Sequence, residues 1–508
     1  MRILYQSNAF WARTGYGVQG KHLVPKLKAL GHDVAMFAYY GLQGAKIVVQ
    51  DTVVYPPSRD AYGNDIVLNH YEDHKADLII TLVDIWVLNP DVYSQMRWLP
   101  WTPVDHDPVP QMVVDLAKKA YRPITYSKHG QRAFAEAGLD VEYIPHGIDT
   151  SVFKRGPSTK QSKLRLSEDT FLIGMVAANQ GFPSRKCIPQ ACEAARIFVE
   201  RHPESIFYLH LDKRPLKGGV DVKQLLDSLE FPNENLRIVD QYWRALGLPD
   251  RYMVDVYHAM DVLLNPSMGE GFGIPIIEAQ ACGVPVVTTD FTAMPEITFA
   301  GYLIGEDQYD KFWSSQGSWQ VIPQVDAIVE GLEWAYENRH DQEIRDNAAE
   351  MVAHHFDWDT LVEEHWKPLL EEIEDDIATA KTGEVHFVGD VPAAKEPLLD
   401  WEPWLQSLIP ESGRTFVDVG ANIGQWSKAL ATHFERVIAL EPHPEALARL
   451  TDGLPRNVMV WPGAAWSHNG KIKLYTFAHH SHTSAMGEGQ GVGAGSAIGQ
   501  IEAVCSAL

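Results

Sequence analysis

Short apolar runs alternate with helix-length segments along much of this 508-residue chain, and the series starts twice, at residues 2–6 and again at 171–176. A strand that returns through a right-handed helical crossover lies parallel to its predecessor, so this rhythm predicts parallel sheets covered by helices on both faces. Two starts predict two sheets. In the first series strands are expected at 2–6, 34–38, 78–81, 98–101, 123–126 and 141–144, with a helix over 19–30 closed by Gly31. In the second they are expected at 171–176, 206–211, 236–239, 262–265 and 284–288, and 146–168 reads as the crossover between the series. The fold class is α/β, with one Rossmann-like lobe over 1–150 and another over 151–375. Such sheets bind ligands beyond the carboxyl ends of their strands, and the loops there are where chemistry is sought.

Composition narrows the partners. A formal charge of -24 repels a nucleic-acid backbone or an anionic membrane, and no nucleic acid is expected. The chain opens on the strand-like Met1-Arg2-Ile3-Leu4-Tyr5 without a charged leader, and no run is long enough to span a bilayer, so the expected address is the cytoplasm. The cysteines Cys187, Cys192, Cys282 and Cys505 form no Cys-x-x-Cys pair and read as reduced packing groups. At about 100–200 residues per domain, the length predicts three or four domains.

The most informative local stretch is Gly269-Glu270-Gly271-Phe272-Gly273-Ile274-Pro275-Ile276-Ile277-Glu278. Pro275 suits a helix start, and Cys282-Gly283-Val284-Pro285 suits a stop, which predicts a short helix over 274–282. The amides of Gly271, Phe272 and Gly273 then sit at the positive end of its dipole, where phosphate or sugar oxygens bind favourably. Glu270 lies before the helix and Glu278 inside it, so the two carboxylates address different parts of one extended ligand, each accepting hydrogen bonds from hydroxyls. Taken alone, Glu270 reads equally as a helix-entry carboxylate and Glu278 as a solvated helix position. Joined to the glycines and the apolar run at 284–289, the pattern is more specific. It resembles the Glu-x7-Glu signature of retaining glycosyltransferases of the GT-B fold, family four type. The resemblance covers residues 1–375 and implies that Glu270 contacts donor-sugar hydroxyls and Glu278 the ribose of the nucleotide.

Three further loops carry candidates. Gly15 and Gly17, in Arg13-Thr14-Gly15-Tyr16-Gly17 between the first strand and helix, read either as a tight turn or, by the resemblance, as a glycine-rich loop facing the donor. Trp101-Thr102-Pro103-Val104-Asp105-His106-Asp107-Pro108 is the candidate acceptor loop. An imidazole between two carboxylates there can hydrogen-bond a hydroxyl or stabilise developing charge, and His106 stands roughly where the family has an active-site histidine. Asp105 and Asp107 read also as turn formers, or as an Asp-x-Asp metal site like that of GT-A enzymes. Magnesium sites of that type need substrate phosphates beside the carboxylates, and a GT-B enzyme holds its diphosphate on the opposite lobe, so no metal is expected. Arg185 and Lys186 lie on a loop before a helix, and the resemblance gives them the donor diphosphate. The family usually separates these cations by several residues, which makes Lys186 the firmer assignment.

The resemblance thus implies a metal-independent hexosyl transfer from a nucleotide diphosphate sugar, UDP- or GDP-linked, to a hydroxyl of a glycan or other acceptor. The expected catalytic residues are Glu270, His106 and Lys186; Gly15, Gly17, Arg185, Lys186, Gly271, Phe272, Gly273 and Glu278 are expected to hold the donor. A nucleotide-sugar epimerase of the same fold, a methyltransferase with a glycan-binding front half, and a noncatalytic glycan-binding protein are the alternatives.

Beyond the acidic run at 371–376, residues 376–400 read as a linker, and 401–508 bring a different motif. Thr415-Phe416-Val417-Asp418-Val419-Gly420-Ala421-Asn422 is a strand entering a glycine turn, and the next strand, 437–440, ends in Glu441. This resembles the start of an S-adenosylmethionine-dependent methyltransferase of the FkbM type, with Asp418, Gly420, Asn422 and Glu441 at the cofactor positions. Only a Rossmann-like beginning is present, so an incomplete or vestigial domain is expected, inactive unless a partner chain completes it. The glycine-rich stretch 487–495 reads as mobile, and His479, His480 and His482 lack the neighbouring ligands of a metal site.

Overall fold

A computed structural model describes residues 1–214 and 218–382, then Pro455 and the strand residues 413–419, 434–440, 458–461, 464–466, 470–476, 484–485 and 499–507. The chain divides into two compact units, Met1–Ile377 and Ala378–Leu508.

The first unit holds both expected sheets. One is formed by β1 (Arg2–Asn8), β2 (Asp33–Tyr40), β3 (Ile47–Val49), β4 (Thr52–Tyr55), β5 (Leu78–Leu82), β6 (Trp98–Thr102), β7 (Ile124–Thr125) and β8 (Glu142–Tyr143), in the order 3-4-2-1-5-6-7-8. Only the β3–β4 pair is antiparallel. Because helices cover both faces, central strands such as β5 are buried at every position, which is why they read as unbroken apolar runs. The β3–β4 hairpin was not expected. Its turn is made by Gln50 and Asp51, both left-handed, instead of the Asn-Gly pair that signals such turns. The first helix also departs from expectation. It runs Gly15–Ala29, starting at the glycines, with Thr14 as its cap.

The second sheet is formed by β9 (Leu172–Val176), β10 (Ile206–His210), β11 (Leu236–Ile238), β12 (Val262–Asn265), β13 (Val286–Thr289) and β14 (Gly301–Ile304), in the order 11-10-9-12-13-14. All its pairs are parallel. In both sheets the opening strand is flanked by neighbours to which the chain departs in opposite directions: β2 and β5 beside β1, β10 and β12 beside β9. The loops leaving β1, β5, β9 and β12 therefore open at crevices suited to ligands.

A hairpin of β15 (Tyr309–Trp313) and β16 (Trp319–Pro323) reaches from the second lobe to the loop after β6. The Asp107 N–H donates to Trp319 O over 3.1 Å, and the Gln320 amide donates to Asp105 O over 3.3 Å. After a bridge between Ile148 and Asp357, the chain returns to the first lobe, where Trp366 packs edge-on against Trp101 at 5.1 Å. The last described helix runs Lys367–Thr382, so residues 376–382 are helix and not linker, and 383–400 fall outside the described residues. Its acidic positions face outward while Leu369, Leu370, Ile373 and Ile377 are buried, a helical spacing that continues past the acidic run. Glu374 also pairs with the Met1 ammonium at 2.8 Å.

The second unit contains a parallel sheet of β17 (Gly413–Val419), β18 (Phe434–Leu440) and β19 (Val458–Trp461). A further sheet has β20 (Ala464–Trp466), β21 (Gly470–Thr476), β22 (Ser484–Ala485) and β23 (Gly499–Ala507) in the order 20-23-21-22. Asp418 lies on β17 opposite Ala439. Gly420, Asn422, Glu441, the three histidines and the stretch 487–495 fall outside the described residues. Among the described residues no helix is long and apolar enough to cross a membrane, and Cys187, Cys192 and Cys282 are buried and free.

Candidate active site

The loop leaving β12 enters a helix over Ile274–Ala281, one residue shorter than expected. Gly273, at its cap, has φ 107°, a left-handed conformation that favours glycine, and no side chain caps the helix. The N–H groups of Gly271, Phe272 and Gly273 have no partner among the described residues. The positive end of the helix is thus open to an anion. The Phe272 ring is core, edge-on to His146 at 5.3 Å and to Phe356 at 5.5 Å, so any ligand would meet Phe272 through its amide.

Glu270 is 5% exposed and ends in a ring of donors. The Lys186 ammonium pairs with one oxygen, to which Ser267 Oγ also donates over 2.7 Å, and Arg185 Nη1 lies 3.2 Å from the other. Burial alone would raise the Glu270 carboxyl; the Lys186 and Arg185 charges overcome it and hold the pKa down at about 2. Burial likewise draws the Lys186 ammonium below the lysine range, with Glu270 opposing. Although adjacent in sequence, the two cations reach one carboxylate, one on each oxygen.

Glu278 turns elsewhere. Its carboxylate accepts from the Tyr257 hydroxyl over 2.8 Å, and burial pushes its pKa up to about 7, with that hydrogen bond opposing. The two glutamates therefore serve separate neighbourhoods, one lined by cations and the other by the Tyr257 hydroxyl.

Across the gap, the loop after β6 places Asp105 Oδ2 3.5 Å from Arg185 Nη1. His106 is 3% exposed; its Nδ1 lies 2.7 Å from Asp105 Oδ1, and its buried Nε2 has no partner among the described residues. Burial raises the Asp105 carboxyl, but the His106 hydrogen bond and the Arg185 charge bring it below the usual range. The lobes meet tightly here. A Cβ on Gly269 would stand 2.2 Å from Asp105 O, and one on Gly271 2.5 Å from Pro103 Cβ. Gly15 faces the motif too, with Ile274 Cδ1 3.4 Å from where its Cβ would be. Gly17 does not. Its amide is spent on Thr14 Oγ1 at 3.1 Å, and its lack of a side chain makes room for Ala9 O and Ala12 O.

Comparison with known proteins bears on this arrangement. Residues 228–315, which include both glutamates, match the family model described as "Glycosyl transferases group 1". A D-inositol 3-phosphate glycosyltransferase of Corynebacterium urealyticum is 25% identical over 242 residues, 47% of this chain and 54% of that protein. The chain spans about a quarter to a half of the length of the curated relatives it matches. Among solved structures, sucrose-phosphate synthase from Thermosynechococcus elongatus superposes with a TM-score of 0.59 at 17% identity, over 75% of this chain and 100% of that one. Anabaena HepE, solved in complex with UDP and glucose, does so with 0.54 at 17%, over 73% and 100%. At such identity the likeness speaks for the fold. The fold is GT-B.

Within this GT-B cleft, the motif, Arg185, Lys186, Asp105 and Gly15 converge, whereas Gly17 stands apart. Sequence reasoning missed Asp84, two residues beyond β5, whose carboxylate accepts from the Tyr16 hydroxyl over 2.9 Å. Tyr16 Oη lies 3.5 Å from Tyr126 Oη, and Tyr126 packs edge-on to Phe272 at 6.3 Å. The available signal was position, since Asp84 follows a strand at the crevice of the first sheet. Among the described residues no cluster of histidine, cysteine or carboxylate side chains has the makings of a metal site.

Proposed function

We propose that this chain is a retaining glycosyltransferase that moves a hexose from a UDP- or GDP-sugar to a hydroxyl acceptor without a metal ion. The observation that carries the reading is Glu270 set between two cations directly before three unpartnered amides at a helix entry. In this reading Lys186, Arg185 and the amides of Gly271, Phe272 and Gly273 take the diphosphate, neutralising charge as its bond to the anomeric carbon breaks. Glu270 holds the sugar hydroxyls, and Glu278 the ribose. His106 serves the reacting sugar from the facing lobe, its Nε2 supplying a bond that the protein leaves unmade. The acceptor oxygen enters on the face the phosphate leaves, which retains the anomeric configuration. The relatives and neighbours, among them HepE solved with UDP-glucose, make inositol phosphates and sugars reasonable first acceptors and UDP-glucose a first donor.

A thermal-shift panel of UDP, GDP and their sugars tests the donor half, because a ligand that binds only the folded state raises the melting point. The anomeric coupling of the product, read by proton NMR, tests retention. No shift with any nucleotide sinks the reading. For the second unit we infer a methyltransferase-like domain, on the parallel β17–β18 pair and the position of Asp418 on β17; S-adenosylmethionine in the same panel checks it.

A further inference from the structure

Asp84 is the first residue before a short helical turn, Ile85–Val87, where an aspartate ordinarily turns back to cap the free amides. Here it does not: its side chain makes no cap and instead meets the Tyr16 hydroxyl. It remains partly exposed, on a loop at the crevice of the first sheet. Tyr16 leads on to Tyr126, which borders Gly271 so closely that a Cβ there would lie 3.0 Å from the tyrosine ring. A half-buried carboxylate, anchored through one oxygen and within reach of the Arg185 charge, is therefore linked through Tyr16 and Tyr126 to the edge of the glycine motif.

We propose that Asp84, oriented by Tyr16, is the acceptor-binding carboxylate: its second oxygen accepts a hydrogen bond from a hydroxyl of a polyol or sugar acceptor and aims that acceptor at the donor. The inference rests on the glycosyltransferase reading above and adds the acceptor's recognition to it. Carboxylates bind neutral polyols through such bonds, and an ionised acceptor makes them stronger. The titratable and charged groups that interact with Asp84 are Tyr16, Tyr126, Tyr39, Asp105 and Arg185. Burial pushes the Asp84 carboxyl up to about 6; the Tyr16 hydrogen bond and Arg185 oppose it, and Asp105 adds to it. Transfer therefore needs Asp84 ionised and falls on the acid side of neutrality, and removing the Tyr16 hydroxyl moves that fall to higher pH.

The test uses the full chain, UDP-glucose and GDP-mannose as donors, and glycerol, D-mannose and myo-inositol as probe polyols. For Asp84→Asn we expect glycosylation of the polyol to drop roughly 10- to 100-fold, the loss of a charge-assisted hydrogen bond, while the melting-point rise given by UDP or GDP is kept. For Tyr16→Phe we expect the acid limb of polyol transfer to move upward in pH. Transfer unchanged in Asp84→Asn, an acid limb unmoved in Tyr16→Phe, or a wild type that gives its sugar only to water in saturating polyol each overturn the proposal. Loss of the nucleotide shift in Asp84→Asn overturns it as well, since the residue would then act on the donor or the fold. Absence of any nucleotide shift in the wild type overturns instead the donor reading beneath it.

Discussion

Lys186 and Glu270 are ion-paired, with Arg185 on the second carboxylate oxygen. A diphosphate arriving at these cations competes with the glutamate for them. Removing the glutamate's charge while keeping its shape should therefore favour an anion and harm the chemistry. We expect Glu270→Gln to bind UDP more tightly than wild type, measured by calorimetry, and yet to turn over donor far more slowly. Tighter binding in the wild type would show that Glu270 and the diphosphate do not share cations.

Lys186→Ala carries the opposite sign. With Lys186 on the leaving diphosphate, as proposed, the variant is expected to lose about 3 kcal/mol in the barrier or roughly 10²-fold in turnover. Steady-state rates of donor consumption check it, and a rate within a factor of about two of wild type would remove Lys186 from the mechanism.

Glu278 gives a pH dependence. Its pKa is about 7 in the fold against 4.5 in its absence, so the folded state binds the proton more tightly than the unfolded state. The contribution to stability is complete below the unfolded pKa and is lost as pH rises through about 7. The penalty above that is at most about 3 kcal/mol. Glu278→Gln, which can still accept from Tyr257, should melt higher than wild type at about pH 8 and similarly at about pH 4. Melting curves across that interval decide the matter, and parallel curves for the two proteins would show that Glu278 titrates normally.

Much of the architecture was legible because buried parallel strands leave unbroken apolar runs, as 78–81 did for β5 and 262–265 for β12. The β3–β4 hairpin was not, since Gln50 and Asp51 adopt left-handed angles without announcing them. In the cleft, Glu270, Arg185 and Lys186 stood out by residue type and do meet in space, but sequence could not show that Arg185 and Lys186 take opposite oxygens of one carboxylate. Gly17 misled for a physical reason: the same lack of a side chain that would admit a ligand here admits the carbonyls of Ala9 and Ala12. Asp84 went unread although it follows a strand at the crevice, and its side-chain contact with Tyr16, not visible in sequence, is what distinguishes it.

Residues 1–377 form a compact unit and the helix Lys367–Thr382 closes it, its apolar face buried against the first lobe. A chain cut after Thr382 keeps that helix and should melt close to the corresponding transition of the full protein, with the same rise on adding UDP or GDP. Loss of the nucleotide response on truncation would mean that the cleft depends on residues 383–508.

The glycines of the motif differ in what a methyl group would strike. At Gly269 the obstacle is Asp105 O at 2.2 Å, a backbone carbonyl on a loop held by the β15–β16 hairpin through Asp107 and Gln320. At Gly271 it is Pro103 Cβ at 2.5 Å and the Tyr126 ring at 3.0 Å, on the same face of the other lobe. Neither glycine has a left-handed φ, so the cost of alanine is steric and is set by whether the lobes can part. A carbonyl fixed at both sides yields less than a proline ring and a tyrosine edge, so Gly269→Ala should be the more damaging. Overpacking of this kind typically costs about 1–3 kcal/mol. Both variants should lower the melting point and weaken donor binding, Gly269→Ala by more. An unchanged melting point in Gly269→Ala would mean that the lobes stand further apart in solution than this close approach implies.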